Sequence, residues 1–210
     1  MLLLAFDTAT PAITVAVHDG TSVVGQAGGE GATAHGEQLA PSIREALAQA
    51  GLVPADLTDV AVGVGPGPFT GLRVGVVTAL TLGATLGLRT HGVCTLDVLA
   101  VEAAAGLGQE FVVATDARRR EVYWARYAAD GRRLEGPAVD LPIVVAERFA
   151  GLPVVGRGAD VHAEVLGGSR GPVDPAAAVL ASAVVDGVVE VLPLEPLYLR
   201  RPDAVPIAGR

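Results

Sequence analysis

The chain has 210 residues, half of them hydrophobic and 18% charged, with 15 basic against 23 acidic side chains and a formal charge of −8. That length allows one domain or two small ones around a substantial core, and the composition excludes a disordered chain. A net negative field opposes phosphate backbones, so nucleic-acid binding by the chain alone is not expected. The single cysteine, Cys94, excludes an intramolecular disulfide and reads as a small buried hydrophobe in a reducing compartment.

Met1 to Phe6 lacks the basic start of a signal peptide, so a cytoplasmic protein is expected. Leu2 to Phe6 is a continuous apolar run of the kind found in a central strand, ending in the polar turn Asp7-Thr8-Ala9-Thr10-Pro11. Ala12 to His18 and the residues from Val23 form two further strands joined at Asp19-Gly20, a strong hairpin signal. Gly25 to Gly36 is small and polar and is expected to be mobile. Leu39, Ile43 and Leu47 then recur every fourth residue in a helix ending near Gly51, with Pro41 in its first turn.

Asp59 to Val64 is a fourth strand, stopped by Gly65-Pro66-Gly67-Pro68 because proline fixes φ and donates no hydrogen bond. Thr70 is placed to cap a helix from Gly71 to Leu88 in which Arg73 is the only charge. A helix so poor in polar residues must be covered on most sides. Along it Gly71, Gly75, Ala79, Gly83 and Gly87 form one smooth ridge, which suits close approach by another backbone, either the chain's own sheet or a partner. The run is slightly short for a bilayer, is interrupted by threonines and lacks flanking basic clusters, so no membrane role is expected.

A short strand near His91 to Val93 and a helix from Leu96 to about Ala105 complete the first half, and Gly106 to Gln109 reads as a hinge. Residues 1–106 and 107–210 are therefore expected as two subdomains, with the last segment able to pack back on the first. The second begins with the strand Phe111 to Thr115 and a β-prone stretch from Glu121 to Tyr127 that turns back at Asp130-Gly131. Short helices are predicted near Val145–Phe149, Ala159–Leu166 and Ala176–Val185, followed by an extended, proline-rich tail. Two strand-led halves suggest a duplicated architecture.

Chemistry-bearing motifs are few. The four histidines are scattered without metal-ligand spacing, and there is no P-loop, dinucleotide fingerprint or nucleophile elbow. Asp7, Thr8 and Thr10 could face a phosphate and hydrated Mg²⁺, but the same residues also serve as turn formers. The Gly65–Gly71 loop could receive an anion on free backbone N–H groups, but it has no P-loop lysine. Asp116, Arg118, Glu121 and Tyr123 place opposite charges at a strand end beside the hinge, as a cleft or as an internal salt bridge. The arginine runs 118–120 and 132–133 are read as solubilising.

Asp7-Thr-Ala-Thr10, His35-Gly-Glu-Gln-Leu-Ala-Pro41, Gly65-Pro-Gly-Pro-Phe-Thr-Gly-Leu-Arg-Val-Gly75, Asp116-Ala-Arg-Arg-Arg-Glu-Val-Tyr123 and Pro196-Leu-Tyr-Leu-Arg200 occur in the order seen in the TsaB/YeaZ family, which the chain resembles over essentially its whole length. The resemblance implies an α/β fold of the actin-like/Hsp70-like ATPase type with two related subdomains. It also implies a non-catalytic, scaffolding role in tRNA threonylcarbamoyladenosine modification. The implied partners are TsaD, the catalytic paralogue, and TsaE, an ATPase, with tRNA reached through the complex and ATP or ADP at a complex interface. Where the paralogue carries metal-binding histidines in a segment resembling GVNHxEGH, this chain has Thr95 and Leu99, so no metal and no catalytic residue are expected. Asp7, Thr8 and Thr10 would then be a vestigial nucleotide site.

The family pairs through its first two helices. The resemblance thus assigns Leu39, Ile43, Leu47, Gly71, Arg73, Gly75, Ala79, Gly83 and Gly87 to a partner interface, and leucine at Gly75 or Gly83 is expected to block docking without unfolding the chain. A homodimer is plausible when the partner is absent. The competing readings are a nucleotide-binding phosphotransferase or ATPase of the same fold using Asp7 and Thr10, and a glycoprotease-type metallopeptidase, which the missing ligands disfavour.

Overall fold

A computed structural model describes residues 1–30 and 35–200. Part of the glycine-rich stretch before the first helix, residues 31–34, lies outside the described residues. The preceding residues are not a loop: β1 (Leu3–Asp7), β2 (Ala12–His18) and β3 (Val23–Glu30) form an antiparallel meander, with β3 running six residues beyond Val24. Glycine is tolerated in β3 because the backbone of α1 (His35–Ala50) crosses it closely. A Cβ on Gly25 would lie 2.1 Å from the Ala46 carbonyl oxygen.

β4 (Asp59–Gly63) and β5 (Arg89–Val93) add in parallel, giving the order β3-β2-β1-β4-β5. The second sheet repeats this plan. β6 (Phe111–Asp116), β7 (Val122–Tyr127) and β8 (Arg133–Asp140) form a meander, and the short β9 (Val154–Val155), which the sequence pattern does not reveal, pairs in parallel with β6. β1 and β6 are therefore equivalent strands of two related halves, and each ends in an aspartate, Asp7 and Asp116. The duplicated, actin-like α/β architecture implied by the resemblance is the one found.

The period-2 alternation of β1 sends its side chains to two cores. Leu4 and Phe6 join Val60 and Val62 beneath α1 and α2 (Phe69–Leu86), contacting a cluster that includes Leu39, Ile43, Leu47, Leu72 and Val76. Leu3 and Ala5 face the other way, onto Val98 of α3 (Thr95–Leu107) and Leu180 and Ala181 of α7 (Ala177–Asp186). α3 also covers one face of the second sheet, with Leu96, Leu99, Ala100 and Ala103 against Phe111, Val113, Ala125 and Tyr127. The far face of that sheet packs on α4 (Pro142–Arg148), α5 (Arg157–Val161) and α6 (Ala163–Leu166) through Val145, Ala159 and Leu166. α7, contributed by the end of the chain, thus seals the first sheet.

Several local expectations change. α2 begins at Phe69 behind Pro68, with no side-chain cap, so Thr70 is an exposed helical residue and not the N-cap. Pro41 sits in the second turn of α1 rather than the first, because the helix starts as early as His35, whose Nε2 donates to the Thr10 carbonyl at 2.8 Å. The segment Ala159–Leu166 is two short helices broken at His162.

Candidate functional site

The first motif is closed in upon itself. Asp7, Thr8 and Thr10 are buried; Asp7 Oδ1 accepts from the Ala9 amide at 2.7 Å and Oδ2 from the Thr95 hydroxyl at 2.8 Å. The Thr8 hydroxyl donates to the Gly71 carbonyl at 2.8 Å, while the Thr95 hydroxyl accepts from the Gly65 amide at 3.2 Å. Burial, opposed by those two hydrogen bonds and reinforced by Asp174, pushes the Asp7 carboxyl from 3.8 up to about 6. Thr10 Oγ1, in the turn after β1, and Thr115 Oγ1, near the end of β6, are buried without a hydrogen-bond partner among the described residues. Among those residues no three His, Cys, Asp or Glu side chains converge as a metal site. In this arrangement the side chains of the DTAT segment clamp the Gly-Pro loop and α2 onto β1.

Gly63 at the end of β4 and the glycines of the second motif serve that clamp. A Cβ at Gly63 would lie 1.8 Å from Asp7 Oδ2, at Gly67 2.2 Å from the Ala9 carbonyl oxygen, at Gly71 2.3 Å from the Thr8 carbonyl oxygen and at Gly75 2.4 Å from Thr8 Oγ1. Farther along, a Cβ at Gly83 would come within 2.6 Å of Thr90 Cγ2. Glycine every fourth residue is what lets one side of α2 and its leading loop ride on the end of β1.

This placement corrects the interface expected from the sequence. Gly71, Gly75, Ala79 and Gly83 are buried against the chain's own sheet, and Leu39, Ile43 and Leu47 lie in the same core. Gly87 is the left-handed C-cap of α2 at φ 69°. Of the expected interface residues on α2 only Arg73 points outward among side chains. The surface α2 leaves open is a different stripe: Phe69 (40% exposed), Arg73, Val77 (57%), Leu80 (47%) and Ala84, spaced at helical intervals on the opposite side. α1 lies alongside and presents Ala40, Arg44 and Ala48. α2 is also the one helix, among the described residues, long and apolar enough to cross a membrane, yet its other face is fixed in the core beside β4.

The third cluster does come together, around a residue that sequence reasoning left out. Asp116 Oδ1 accepts from the Arg118 amide at 2.9 Å, and its Oδ2 sits 3.6 Å from the Arg118 guanidinium. Arg200 pairs with Glu121, donates to the Ala117 carbonyl at 2.9 Å and lies 6.0 Å above the Tyr123 ring. Burial raises the Tyr123 phenol above its usual value. Arg200 belongs to the extended tail, which is a strap: Leu192 pairs with Gly92 on β5, the Leu197 amide donates to Val64 at 2.8 Å, and Tyr198 stacks on Phe69 with centroids 5.1 Å apart. Arg73 completes that contact, donating to the Tyr198 hydroxyl at 2.9 Å with its guanidinium 3.6 Å over the Phe69 ring. The only sequence signal for this strap was the Pro196–Arg200 match, since an extended segment has no periodicity to read.

A further buried polar group had no sequence signal at all. Asp97 at the start of α3 accepts from the Tyr127 hydroxyl at 2.7 Å and lies 3.4 Å from Arg133, which also reaches Glu190 beyond α7 at 2.9 Å. Burial raises the Asp97 carboxyl above its usual range and pushes the neighbouring Cys94 thiol up to about 12, which leaves that thiol protonated and unreactive.

A family model described as "TsaD: tRNA N6-adenosine threonylcarbamoyltransferase" matches residues 23–183. The chain is 46% identical over 210 residues to an uncharacterized protein of Mycobacterium tuberculosis, spanning 98% of this chain and 95% of that one. An uncharacterized protein of Mycobacterium leprae is 45% identical over 214 residues, and the chain spans 57% of its length. The Escherichia coli tRNA threonylcarbamoyladenosine biosynthesis protein TsaB is 39% identical over 157 residues, which is 71% of this chain and 66% of that protein. Among solved structures, YeaZ from Pseudomonas aeruginosa superposes with a TM-score of 0.76 at 29% identity, over 94% of this chain and 99% of its own.

Proposed function

Because the chain belongs to the TsaD family, on its TsaB/YeaZ branch, we propose that it acts in tRNA threonylcarbamoyladenosine biosynthesis as a non-catalytic subunit that docks onto and activates the catalytic member TsaD, working with TsaE. The observation that carries this reading is the outer face of α2. Val77 and Leu80 stand exposed on a helix whose only charge is Arg73, and α1 extends the surface with Ala40 and Ala48. Leaving such a stripe in water forgoes about 25 cal/mol per Å² that a partner helix pair would recover. The engagement of Asp7 with the Ala9 amide and the Thr95 hydroxyl, and of Thr8 with the Gly71 carbonyl, supports a structural rather than a catalytic use of the DTAT segment.

The test is a pair of exposed substitutions, Val77→Asp and Leu80→Asp. Neither side chain is in the core, so thermal stability should change by less than about 0.5 kcal/mol. Co-purification with the TsaD-type subunit should fall by at least tenfold, and threonylcarbamoyladenosine measured by mass spectrometry of tRNA nucleosides should drop in cells carrying the variant as the sole copy. Wild-type levels of both complex and modified nucleoside in the double variant would overturn the assignment.

A further inference from the structure

The outward stripe of α2 begins in an aromatic clamp. Phe69 and Tyr198, the latter from the C-terminal strap, stack with centroids 5.1 Å apart and planes 27° apart. Arg73, one turn along the helix from Phe69, holds its guanidinium 3.6 Å over the Phe69 ring and donates from Nε to the Tyr198 hydroxyl at 2.9 Å. Tyr198 is not needed to fasten the strap. Leu192 and Gly92 exchange backbone hydrogen bonds at 2.8 and 3.1 Å, the Leu197 amide donates to Val64, and Leu192, Leu194 and Leu197 pack against the core. Arg200 then reaches the Ala117 carbonyl. Yet both rings stay open to solvent, each 40% exposed. Aromatic rings fixed in advance and left partly uncovered hold an arginine that loses little further freedom when something binds, the combination that dominates binding surfaces.

The charges around the clamp specify what it fits. A guanidinium has five N–H donors, and among the described residues only the Nε of Arg73 has a hydrogen-bond acceptor, which leaves the Nη groups for another molecule. On α1, Arg44 adds a second exposed guanidinium between Ala40 and Ala48. The acidic residues of α1, Glu37 and Glu45, lie on a different side, lining a groove with Gly28 and Gly29 of β3. α2 has no acidic residue. Glu195, the one carboxylate on the described strap, is exposed, and Arg73 bonds to Tyr198 rather than to it. The stripe is therefore apolar with two positive charges, on a chain whose overall charge is −8. A second copy docked through the same stripe would bring two more guanidinium groups and no carboxylate to receive them. A different protein that supplies the acid is the complementary occupant.

We infer that Arg73, held by Phe69 and Tyr198, is the polar anchor of the seam and that its Nη groups receive a carboxylate from a helix of the catalytic subunit in a forked pair of hydrogen bonds. The inference rests on the scaffold role proposed above, and it makes the C-terminal strap part of the docking surface.

Affinity of the full chain for the purified TsaD-type subunit, measured by isothermal titration calorimetry, tests it. Arg73→Glu should weaken binding by at least about 30-fold, the loss that marks an interface hot spot, with an unfolding midpoint near that of the wild type. Arg73→Lys keeps the charge without the fork and should lose about tenfold. Tyr198→Phe keeps the stack but drops the acceptor for Nε, and should lose a few-fold. Arg132→Glu, the same reversal at an exposed position on the β7–β8 hairpin, should bind as the wild type does. A double-mutant cycle between Arg73→Gln and amide replacements of the acidic residues on the partner's helices should find one pair coupled by about fivefold or more. Wild-type affinity in Arg73→Glu or Arg73→Lys, an equal loss in Arg132→Glu, or no coupled carboxylate would overturn the inference. So would an Arg73→Glu chain that loses self-association but not the TsaD-type subunit. Failure of the scaffold reading looks different: the wild type would then not bind that subunit, or Val77→Asp/Leu80→Asp would bind it equally well. Loss in that double variant with full binding by Arg73→Glu sinks the anchor alone.

Discussion

Asp7 shows how a residue suited to phosphate chemistry can serve packing instead. Both carboxylate oxygens receive hydrogen bonds from within the chain, and burial holds its pKa near 6 rather than 3.8. Between those values the folded chain keeps a proton that the unfolded chain has released, so this group's contribution to stability is full below about pH 4 and declines as pH rises to about 6. The decline is about 3 kcal/mol at 1.36 kcal/mol per pKa unit. Asp7→Asn keeps an acceptor for the Ala9 amide and removes the titration. Urea unfolding of both proteins from pH 4 to 7 should show the asparagine variant gaining on the wild type by roughly that amount. Parallel stability curves would show that the carboxyl does not titrate in that window.

At the scale of the element, α2 separates what its sequence discloses from what it hides. Its existence, its length and its smooth ridge were all legible, because glycine every fourth residue has one geometric meaning on a helix. Which way the ridge faces was not. A backbone approached by its own β1 and one approached by another protein's helix demand the same small residues, and only the position of Thr8 beneath Gly71 and Gly75 decides between them. The outward stripe carries no comparable mark, since Val77 and Leu80 look like core residues in a sequence this apolar. Gly75→Leu should therefore fail as a folded protein rather than as a partner. Its Cβ alone would fall 2.4 Å from Thr8 Oγ1, and overpacking of this kind costs about 1 to 3 kcal/mol or more. The expected result is a lowered unfolding midpoint by circular dichroism, with Val77→Asp near the wild-type midpoint. A Gly75→Leu protein as stable as wild type that loses its partner would return the seam to the ridge.

At the scale of the molecule, duplication was legible as two strand-led runs, whereas the way the halves share helices was not. α3 closes the first half in sequence, yet its Leu96, Leu99 and Ala100 fill the core of the second sheet while Val98 faces the first. α7 comes from the end of the chain and covers Leu3, Ala5 and Ala61. Such exchanges leave no trace in hydrophobic periodicity, because an apolar face does not say which sheet it will meet. Their consequence is that the apparent boundary near residue 106 is not a line along which the protein can be divided. A fragment of residues 1–107 would expose the α7-facing side of its sheet and lose the Asp97–Tyr127 and Asp97–Arg133 contacts that tie α3 in place. It should bind a hydrophobic dye and show weak amide protection, and adding residues 108–200 in trans should restore protection in β1 and β4 together. Native-like exchange in the isolated fragment would mean that the two halves are independent folding units and that α7 merely rests on the first.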